Sequence, residues 1–247
     1  NPDIGADEFT PLGDDAGILS LQGPLKPFLP GNQNVYIQLL NNGADTLKTL
    51  NLNWEVNGQL QAVYSFIGNI PSGESLDSVN IGSFNFIADS TYSLRIYSSL
   101  PNGNVDALTS NDTLFEEGIV SALSGDYTIG GLNPSFNSFT EANTALRQRG
   151  ISSWVRFNVR DGVYNETMLM RPIVGSLDEG DSIVFVSENG DASLVNLTTS
   201  QYSPTLVELR GAEHVTFRDL TLSTTYLFNG LGLVNIDSTS TNISFQN

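Results

Sequence analysis

The tract LVELRGAEHVTF (206–217) recurs as LVNIDSTSTNISF (233–245), offset by 27 residues at its first Leu and 28 at its last Phe. Three short runs, VRFNV (155–159), HVTFRDLTL (214–222) and ISFQN (243–247), also have the alternating pattern of β-strands. A period of this length is typical of one turn of a parallel β-solenoid. A coil cannot bury its apolar face alone, so this repeat predicts stacked coils from Val155 onward.

The charge and composition of the chain limit the kinds of molecule that it can bind. The net charge is −17, which disfavours binding to nucleic acid and to anionic membrane surfaces. The chain has no Cys, so disulfides cannot stabilise it. It has no apolar run long enough to span a membrane, and NPDIGADEFT (1–10) lacks the pattern of a signal peptide. The hydrophobic content of 39% predicts a packed core.

Residues from Gly17 to about Ala122 have a different pattern, with longer strands separated by turn residues. Asn57-Gly58 predicts a type I′ hairpin, and about seven strands at this spacing predict a β-sandwich. Trp54 lies within an apolar alternation and is interpreted as a core residue, with a sugar-stacking platform as the alternative. The alternation is clearest at Leu50, Leu52, Trp54 and Val56 and recurs at Val35, Ile37 and Leu39.

This region resembles the bacterial cell-adhesion-related immunoglobulin-like domain called CARDB over about 100 residues. The resemblance rests on NVYIQLLNNGADTL (34–47), LNLNWEVNG (50–58), the Pro-Ser-Gly-Glu turn (71–74) and SNDTL (110–114). It implies a spacer or adhesive module of a large secreted protein, without an active site.

The segment SFTEANTALRQRG (138–150) is the one helix that the sequence predicts. We expect Thr140 to be its N-cap and Gly150 its C-terminal cap, with Arg147 and Arg149 in the last turn. A short amphipathic helix at this position would cover the apolar end of the first coil.

The tract from YTIGG (127–131) through this helix to VRFNVRDGVYNE (155–166) resembles the start of right-handed parallel β-helix domains. Such domains belong to the pectate-lyase-like superfamily and occur in large bacterial surface proteins, many exported by type IX secretion. The phrase NPDIGADEF (1–9) resembles the close of such a domain. It implies a preceding module, and the strand that ends at Asn247 implies a following one.

Enzymes with this fold cleave polysaccharides with a carboxylate cluster that holds Ca²⁺ and an arginine base, or with paired carboxylates. The sequence lacks the polygalacturonase pattern of Asn-x-Asp, Asp-Asp and Gly-His-Gly, and it lacks the pectate-lyase Arg motif. No catalytic residue is therefore assigned. The candidate acids are Asp161, Glu166, Asp178, Glu179, Asp181, Glu188, Glu208, Asp219 and Asp237.

The remaining polar residues that could take part in binding or catalysis are each explained by a structural role. Asp161-Gly162 with Glu166 could hold a weak structural Ca²⁺, but Asp-Gly is first a turn signal. His214 has no matching nucleophile, so we expect a packing or surface histidine at a coil corner. No P-loop, dinucleotide fingerprint or zinc spacing is present, and no cofactor is predicted. The arginines Arg156, Arg160, Arg171 and Arg218 are expected to form structural ion pairs.

Four Asp-Ser/Thr-aliphatic triplets match a signal for O-glycosylation in bacteria that use type IX export. The modified positions would be Thr46, Ser78, Thr113 and Ser182.

The sequence thus predicts an all-β chain, an immunoglobulin-like sandwich followed by a right-handed parallel β-helix. Its expected divisions are 1–12 (module tail or linker), 13–122 (sandwich), 123–137 (connector) and 138–247 (capping helix and first coils). We expect a non-enzymatic segment of a long extracellular or cell-surface protein. Its expected partners are the neighbouring modules of the same chain, other copies with which it self-associates, or polysaccharide to which it adheres. The alternatives are part of a polysaccharide lyase or hydrolase, and a carbohydrate-binding module with Tyr64 or Tyr97 as platforms.

Overall fold

A computed structural model of the chain describes residues 13–175, 182–200, 205–224 and 232–247. The chain divides into two compact units, Asn1–Ser121 and Ala122–Asn247. Both are built almost entirely of strands, as the sequence predicts, but the strands pair antiparallel in the first unit and parallel in the second.

The described part of the first unit is a two-sheet antiparallel sandwich. One sheet has the order β1-β2-β6 and the other β4-β3-β7-β8, with β5 also paired to β3. The strands are β1 (Ala16–Gly23), β2 (Gly31–Asn41), β3 (Leu47–Val56), β4 (Gln59–Leu60), β5 (Tyr64–Ile70), β6 (Ser75–Phe86), β7 (Tyr92–Ser99) and β8 (Thr113–Ile119), with a 3-10 turn at Pro101–Gly103.

Its core consists of the alternating apolar residues that the sequence indicates. Val35, Ile37 and Leu39 of β2 are fully buried, and so are the inward residues of β3 and β7. The Asn57-Gly58 hairpin is confirmed, because β3 and β4 pair antiparallel on either side of it and both turn residues have positive φ, 48° and 74°.

The second unit is a parallel β-helix with three sheets among its described residues, of order β9-β10-β13-β16-β19, β11-β14-β17 and β12-β15-β18. Its elements are β9 (Leu123–Ile129), α1 (Phe139–Arg149), β10 (Ile151–Val159), β11 (Gly162–Asn165), β12 (Met168–Met170), β13 (Ile183–Ser187), β14 (Val195–Thr199), β15 (Val207–Leu209), β16 (Glu213–Arg218), β17 (Thr221–Thr224), β18 (Val234–Ile236) and β19 (Thr241–Gln246), with a 3-10 turn at Ala192–Leu194. Among the described residues, three coils contribute one strand to each sheet, and β9 and β19 extend the first sheet alone.

The repeat in the sequence is confirmed by strand pairing. Val207 pairs with Val234 and Phe217 with Phe245, so the two tracts lie in register on successive coils. The predicted connector 123–137 contains β9, which extends the first sheet by pairing parallel to β10.

A column of four phenylalanine rings stacks along the second unit, with three rings buried in its core and the last, Phe245, 42% exposed. Phe157, Phe185, Phe217 and Phe245 occupy equivalent positions on four coils. Successive ring centroids are 4.7, 5.3 and 5.0 Å apart, with interplanar angles of 17°, 10° and 7°. These separations are close to the ~4.8 Å spacing between neighbouring strands, so the backbone ladder sets the stacking distance.

The helix α1 closes part of this core. Phe139, Ala142 and Leu146 are fully buried in the same hydrophobic cluster as the coils. The ring of Phe139 stacks on Phe185 with a centroid separation of 5.7 Å. The predicted capping helix therefore packs its apolar face onto the coil interior, which satisfies the requirement that a solenoid end be covered.

Candidate functional site

The segment RDGVYNE (160–166), the candidate cation site, is a set of contacts between coils. Asp161 accepts a hydrogen bond from the Asn189 side chain at 2.9 Å, and Arg160 pairs with Glu188 at 3.4 Å. The Tyr164 hydroxyl lies 2.8 Å from the carbonyl oxygen of Arg160. Burial, and next the charge of Glu166, raises the pKa of the Tyr164 hydroxyl. The segment's polar atoms are therefore engaged in fixing the chain where one coil meets the next.

Glu166 caps the N-terminus of α1. Its carboxylate accepts hydrogen bonds from the Phe139 and Thr140 backbone N–H groups, at 2.9 and 2.8 Å, and from the Thr140 hydroxyl at 2.6 Å. A negative charge is favourable here because unpaired N–H groups and the helix dipole make this end positive. Glu166 therefore fastens the helix to the first coil.

The prediction of Thr140 as N-cap is wrong. Ser138 is the N-cap, and its side chain accepts a hydrogen bond from the Glu141 N–H at 3.0 Å. Glu141 in turn accepts from Asn137, so 137–141 forms a variant of the capping box. The C-terminal cap at Gly150 is confirmed, since its N–H donates to the carbonyl oxygen of Leu146.

The remaining described candidate acids also have local partners. Glu208 pairs with Arg210 at 2.7 Å, and Asp219 lies 4.0 Å from Arg218. Asp178, Glu179 and Asp181 lie outside the described residues. Within the described ranges, no group of three or more His, Cys, Asp or Glu side chains could hold a metal ion.

Asp237 closes a turn. It accepts hydrogen bonds from the backbone N–H groups of Gly211 and Thr239, each at 3.1 Å, and from the hydroxyls of Thr239 and Ser240. These donors, with the Gly211 N–H first, lower the pKa of Asp237 to about 2. The carboxylate is thus stabilised as an acceptor, which suits a turn and opposes a role as general acid.

The arginines differ in what they contact. Arg156 forms an ion pair with Asp126 on the adjacent strand at 2.6 Å, and this hydrogen bond lowers the pKa of Asp126. The guanidinium also lies 5.8 Å from the ring centroid of Trp154, which is 43% exposed. Arg171 is exposed.

His214 participates in a rung-to-rung contact. Its Nε2 lies 3.1 Å from the Asn242 side-chain nitrogen on the next coil, and both residues have positive φ, 54° and 53°. Equivalent backbone kinks on successive coils therefore stack these side chains at a corner, which agrees with the expectation of a packing histidine.

The aromatic residues that the sequence singled out as possible sugar-binding platforms lie in the first unit. Trp54 is 2% exposed and its Nε1 donates to the carbonyl oxygen of Ala62, so the core interpretation is confirmed. Tyr64 pairs with inward-facing Leu52, whereas Tyr97 pairs with the next residue, Asn53. Neighbouring residues of a strand point to opposite faces, so these two tyrosines cannot form a coplanar platform. Arg95 also lies over the Tyr97 ring, 4.8 Å from its centroid.

The four predicted glycosylation positions stay predictions. Thr113 and Ser78 are exposed, the latter at a positive φ of 57° in β6, and Thr46 and Ser182 are half-buried.

An acidic cluster in the first unit was missed by sequence reasoning. Asp15, Asp106 and Asp112 interact electrostatically, although the first lies more than 90 positions before the other two. Asp112 is 9% exposed, and its Oδ1 is buried without a hydrogen-bond partner. The only sequence signal was the acidic composition of the two segments, because nothing local indicates that they meet.

Solved structures with similarity to the chain include a CARDB domain and a polygalacturonase. The CARDB domain of the PF1109 protein from Pyrococcus furiosus, solved in complex with di-metal ions, has a TM-score of 0.36 and 14% identity, covering 44% of this chain and 94% of that chain. The family 28 exopolygalacturonase of Yersinia enterocolitica has a TM-score of 0.23 and 12% identity, covering 81% of this chain. The chain spans 42% of that enzyme's length. Neither similarity assigns a role to a residue here.

No protein-family model and no curated protein matches the sequence. None of the described helices has the length and apolar character needed to cross a membrane.

Proposed function

We propose that this chain is a non-enzymatic structural segment of a longer extracellular or cell-surface protein. The observation that carries the proposal is the phenylalanine column, which continues without interruption through four successive coils. Parallel hydrogen-bond ladders and stacked rings resist both stretching and bending, so such a unit is suited to act as a stiff spacer. Type IX export and the presence of neighbouring modules are part of this proposal.

The chemistry of the described acids supports a structural role. Asp161, Glu166, Glu188, Glu208 and Asp237 each hold a hydrogen-bond or ion-pair partner within the coils. A general acid or base must reach a substrate proton, whereas these carboxylates are engaged by donors of the chain itself. In this proposal, binding to polysaccharide or to further copies uses outward-facing side chains.

Single-molecule pulling tests the mechanical part. The chain is placed between two marker domains of known unfolding force and stretched. We expect a discrete unfolding event for the solenoid unit, with a gain in contour length on the order of 400 Å from ~3.5 Å per extended residue. Extension of this unit without a discrete force event contradicts the proposal.

Catalysis is tested separately on the purified chain with Ca²⁺ and a panel of acidic and neutral polysaccharides. We expect no new reducing ends and no unsaturated products. Product formation that disappears in Asp161→Asn or Glu188→Gln, with the fold retained, would establish the enzyme alternative. Adhesion is tested by binding of the parent chain and of Phe185→Leu to a glycan array. Equal affinity of the two proteins for a glycan would indicate that the adhesive surface lies on the outer faces.

A further inference from the structure

The acidic cluster of the sandwich unit lies where the start of β1 meets the loop between β7 and β8. Asp106 in this loop accepts hydrogen bonds from the N–H groups of Ala16, at 3.0 Å, and Leu108, at 2.9 Å. Both of its carboxylate oxygens are therefore occupied by donors. Ser98 at the end of β7 also links the segments, since its hydroxyl donates to the Ala16 carbonyl at 2.7 Å and its N–H to the Asp112 carbonyl at 3.0 Å.

The side chain of Asp112 has no such donor. It is more than nine-tenths buried, and its Oδ1 has no partner. The charged groups that face it are both acidic, Asp106 on its own loop and Asp15 before β1. Asp15 itself accepts from the Asn111 side chain at 2.9 Å. An ionised carboxylate is unfavourable in this position, because it is desolvated, unpaired and repelled by both neighbours.

Two other charged residues near this junction contact the side chains of Asn102 and Asn104. Asp14 accepts hydrogen bonds from the side chains of Asn102 and Asn104, both at 2.6 Å. Lys48 contacts the loop through its backbone N–H, which donates to Asn102. The junction therefore offers Asp112 an acceptor, the Asp106 carboxylate, but no described positive group.

We propose that Asp112 binds a proton in mildly acidic surroundings and donates it in a hydrogen bond to the Asp106 carboxylate, which holds Asp106 in place to accept from the Ala16 N–H at the start of β1. Burial first, then the charges of Asp106 and Asp15 and the hydrogen bond to Asp106, raise the pKa of Asp112 from 3.8 to about 6. Burial likewise raises the pKa of Asp15.

The sign of the effect follows from proton linkage. The pKa of Asp112 is higher in the folded chain than its ordinary value, so the folded state binds this proton more tightly than the unfolded state. The stabilisation is complete below about pH 4 and is lost as pH rises through about 6. The sandwich is therefore expected to loosen at the loop as the medium changes from mildly acidic to neutral.

The test measures urea unfolding of the sandwich unit in the intact chain between pH 5 and pH 8, with Trp54 fluorescence as the signal in a Trp154→Phe background. We expect the unfolding equilibrium constant of the parent to rise about tenfold across this range, because the folded carboxyl loses its proton near pH 6 whereas the unfolded one is already ionised at pH 5. Asp112→Asn should abolish this rise, while the exposed control Asp45→Asn should retain it.

Equal pH dependence in the parent and in Asp112→Asn would overturn the proposal. Ca²⁺ that stabilises the parent at pH 8 but not Asp112→Asn would also overturn it, because the cluster would then bind a cation in place of the proton. If Asp112→Asn does not fold, the proposal is tested by measuring the titration of the Asp112 carboxyl in the parent with ¹³C NMR. Titration of Asp112 near pH 6 supports the shared proton, and titration near pH 4 refutes it.

Discussion

Replacement of Phe185 by Ala is expected to destabilise the solenoid unit more than any single change at its surface. The side chain is fully buried, and its ring stacks between Phe157, at 4.7 Å, and Phe217, at 5.3 Å, with Phe139 of α1 at 5.7 Å. The neighbouring rings belong to strands whose spacing is fixed by backbone hydrogen bonds, so they cannot close in on the space that the substitution leaves.

The magnitude follows from these contacts. Truncation of a buried Phe to Ala typically costs about 3–5 kcal/mol in the free energy of unfolding, through lost burial and the cavity that remains. The three aromatic pairs, each worth about 0.5–1.5 kcal/mol, place Phe185→Ala near the upper end, at about 5 kcal/mol. Phe185→Leu retains most of the volume, and we expect it to cost about 2 kcal/mol.

Hydrogen exchange read by mass spectrometry assigns the loss to one unit. In the intact chain, Phe185→Ala should lower the protection of peptides from β10, β13 and β16 and leave the sandwich peptides unchanged. The matched control is Phe115→Ala, because Phe115 is 56% exposed and should change stability by less than about 0.5 kcal/mol. A loss below about 1 kcal/mol for Phe185→Ala would refute the argument that the phenylalanine column holds the coils together. If that variant fails to fold, Phe185→Leu supplies the measurement.

Two further substitutions test the connections between α1 and the coils. Glu166→Gln removes the charge that three donors of the helix N-terminus contact. We therefore expect a loss of about 1–2 kcal/mol in the free energy of unfolding and faster hydrogen exchange in residues 139–149. The control Glu117→Gln, at an exposed position, should have little effect. Unchanged exchange in the helix would show that Glu166 is not its anchor. Gly130→Ala should cost about 1–3 kcal/mol, because Gly130 has φ of 75° and an added Cβ would contact the Tyr164 hydroxyl. Gly190 has a similar φ of 67°, but an added Cβ there would meet no atom within 4 Å. An equal loss of stability in Gly190→Ala would therefore show that backbone strain, and not the contact with Tyr164, causes the cost.

The architecture was predictable where the signal is local. Alternation of apolar residues identified β2 and β3 because burial on one sheet face requires it. The repeat identified the third and fourth coils, since Phe217 and Phe245 are 28 residues apart. The second coil, with IVFVS at 183–187, was not recognised from the period, because Phe185 and Phe217 are 32 residues apart.

The helix boundary shows how two similar local signals compete. Ser138 and Thr140 both precede the helical pattern and both can cap a helix. The capping-box spacing of Ser138 and Glu141 favoured Ser138, and this signal was available in the sequence. The contact of Thr140 with Glu166 was not, because that carboxylate comes from a strand connection 26 residues later.

The acidic cluster could not be predicted for the same reason, on a larger scale. Asn111 contacts Asp15 across 96 residues, and Ala16 contacts Asp106 across 90. Propensity and spacing describe neighbours in the chain, whereas this junction exists only after the two sheets of the sandwich have assembled. Its one readable feature, several acids in two loops, is shared with many solvated surfaces.

The solenoid carries many Asp and Glu residues, as an active site on this fold would, and there is a physical reason for this. A parallel coil turns at the same place in each rung, and each turn leaves backbone N–H groups that need acceptors. Asp237 supplies such an acceptor, Glu166 does the same for the N-terminus of α1, and Asp161 and Glu188 bind side-chain donors between rungs. Carboxylates used in this way cannot be removed without loosening the rungs they join. Stiffness and adhesion are therefore expected to be separable by mutation: changes at the buried Phe185 should lower mechanical resistance, while changes at the exposed Trp154 should alter what the surface binds.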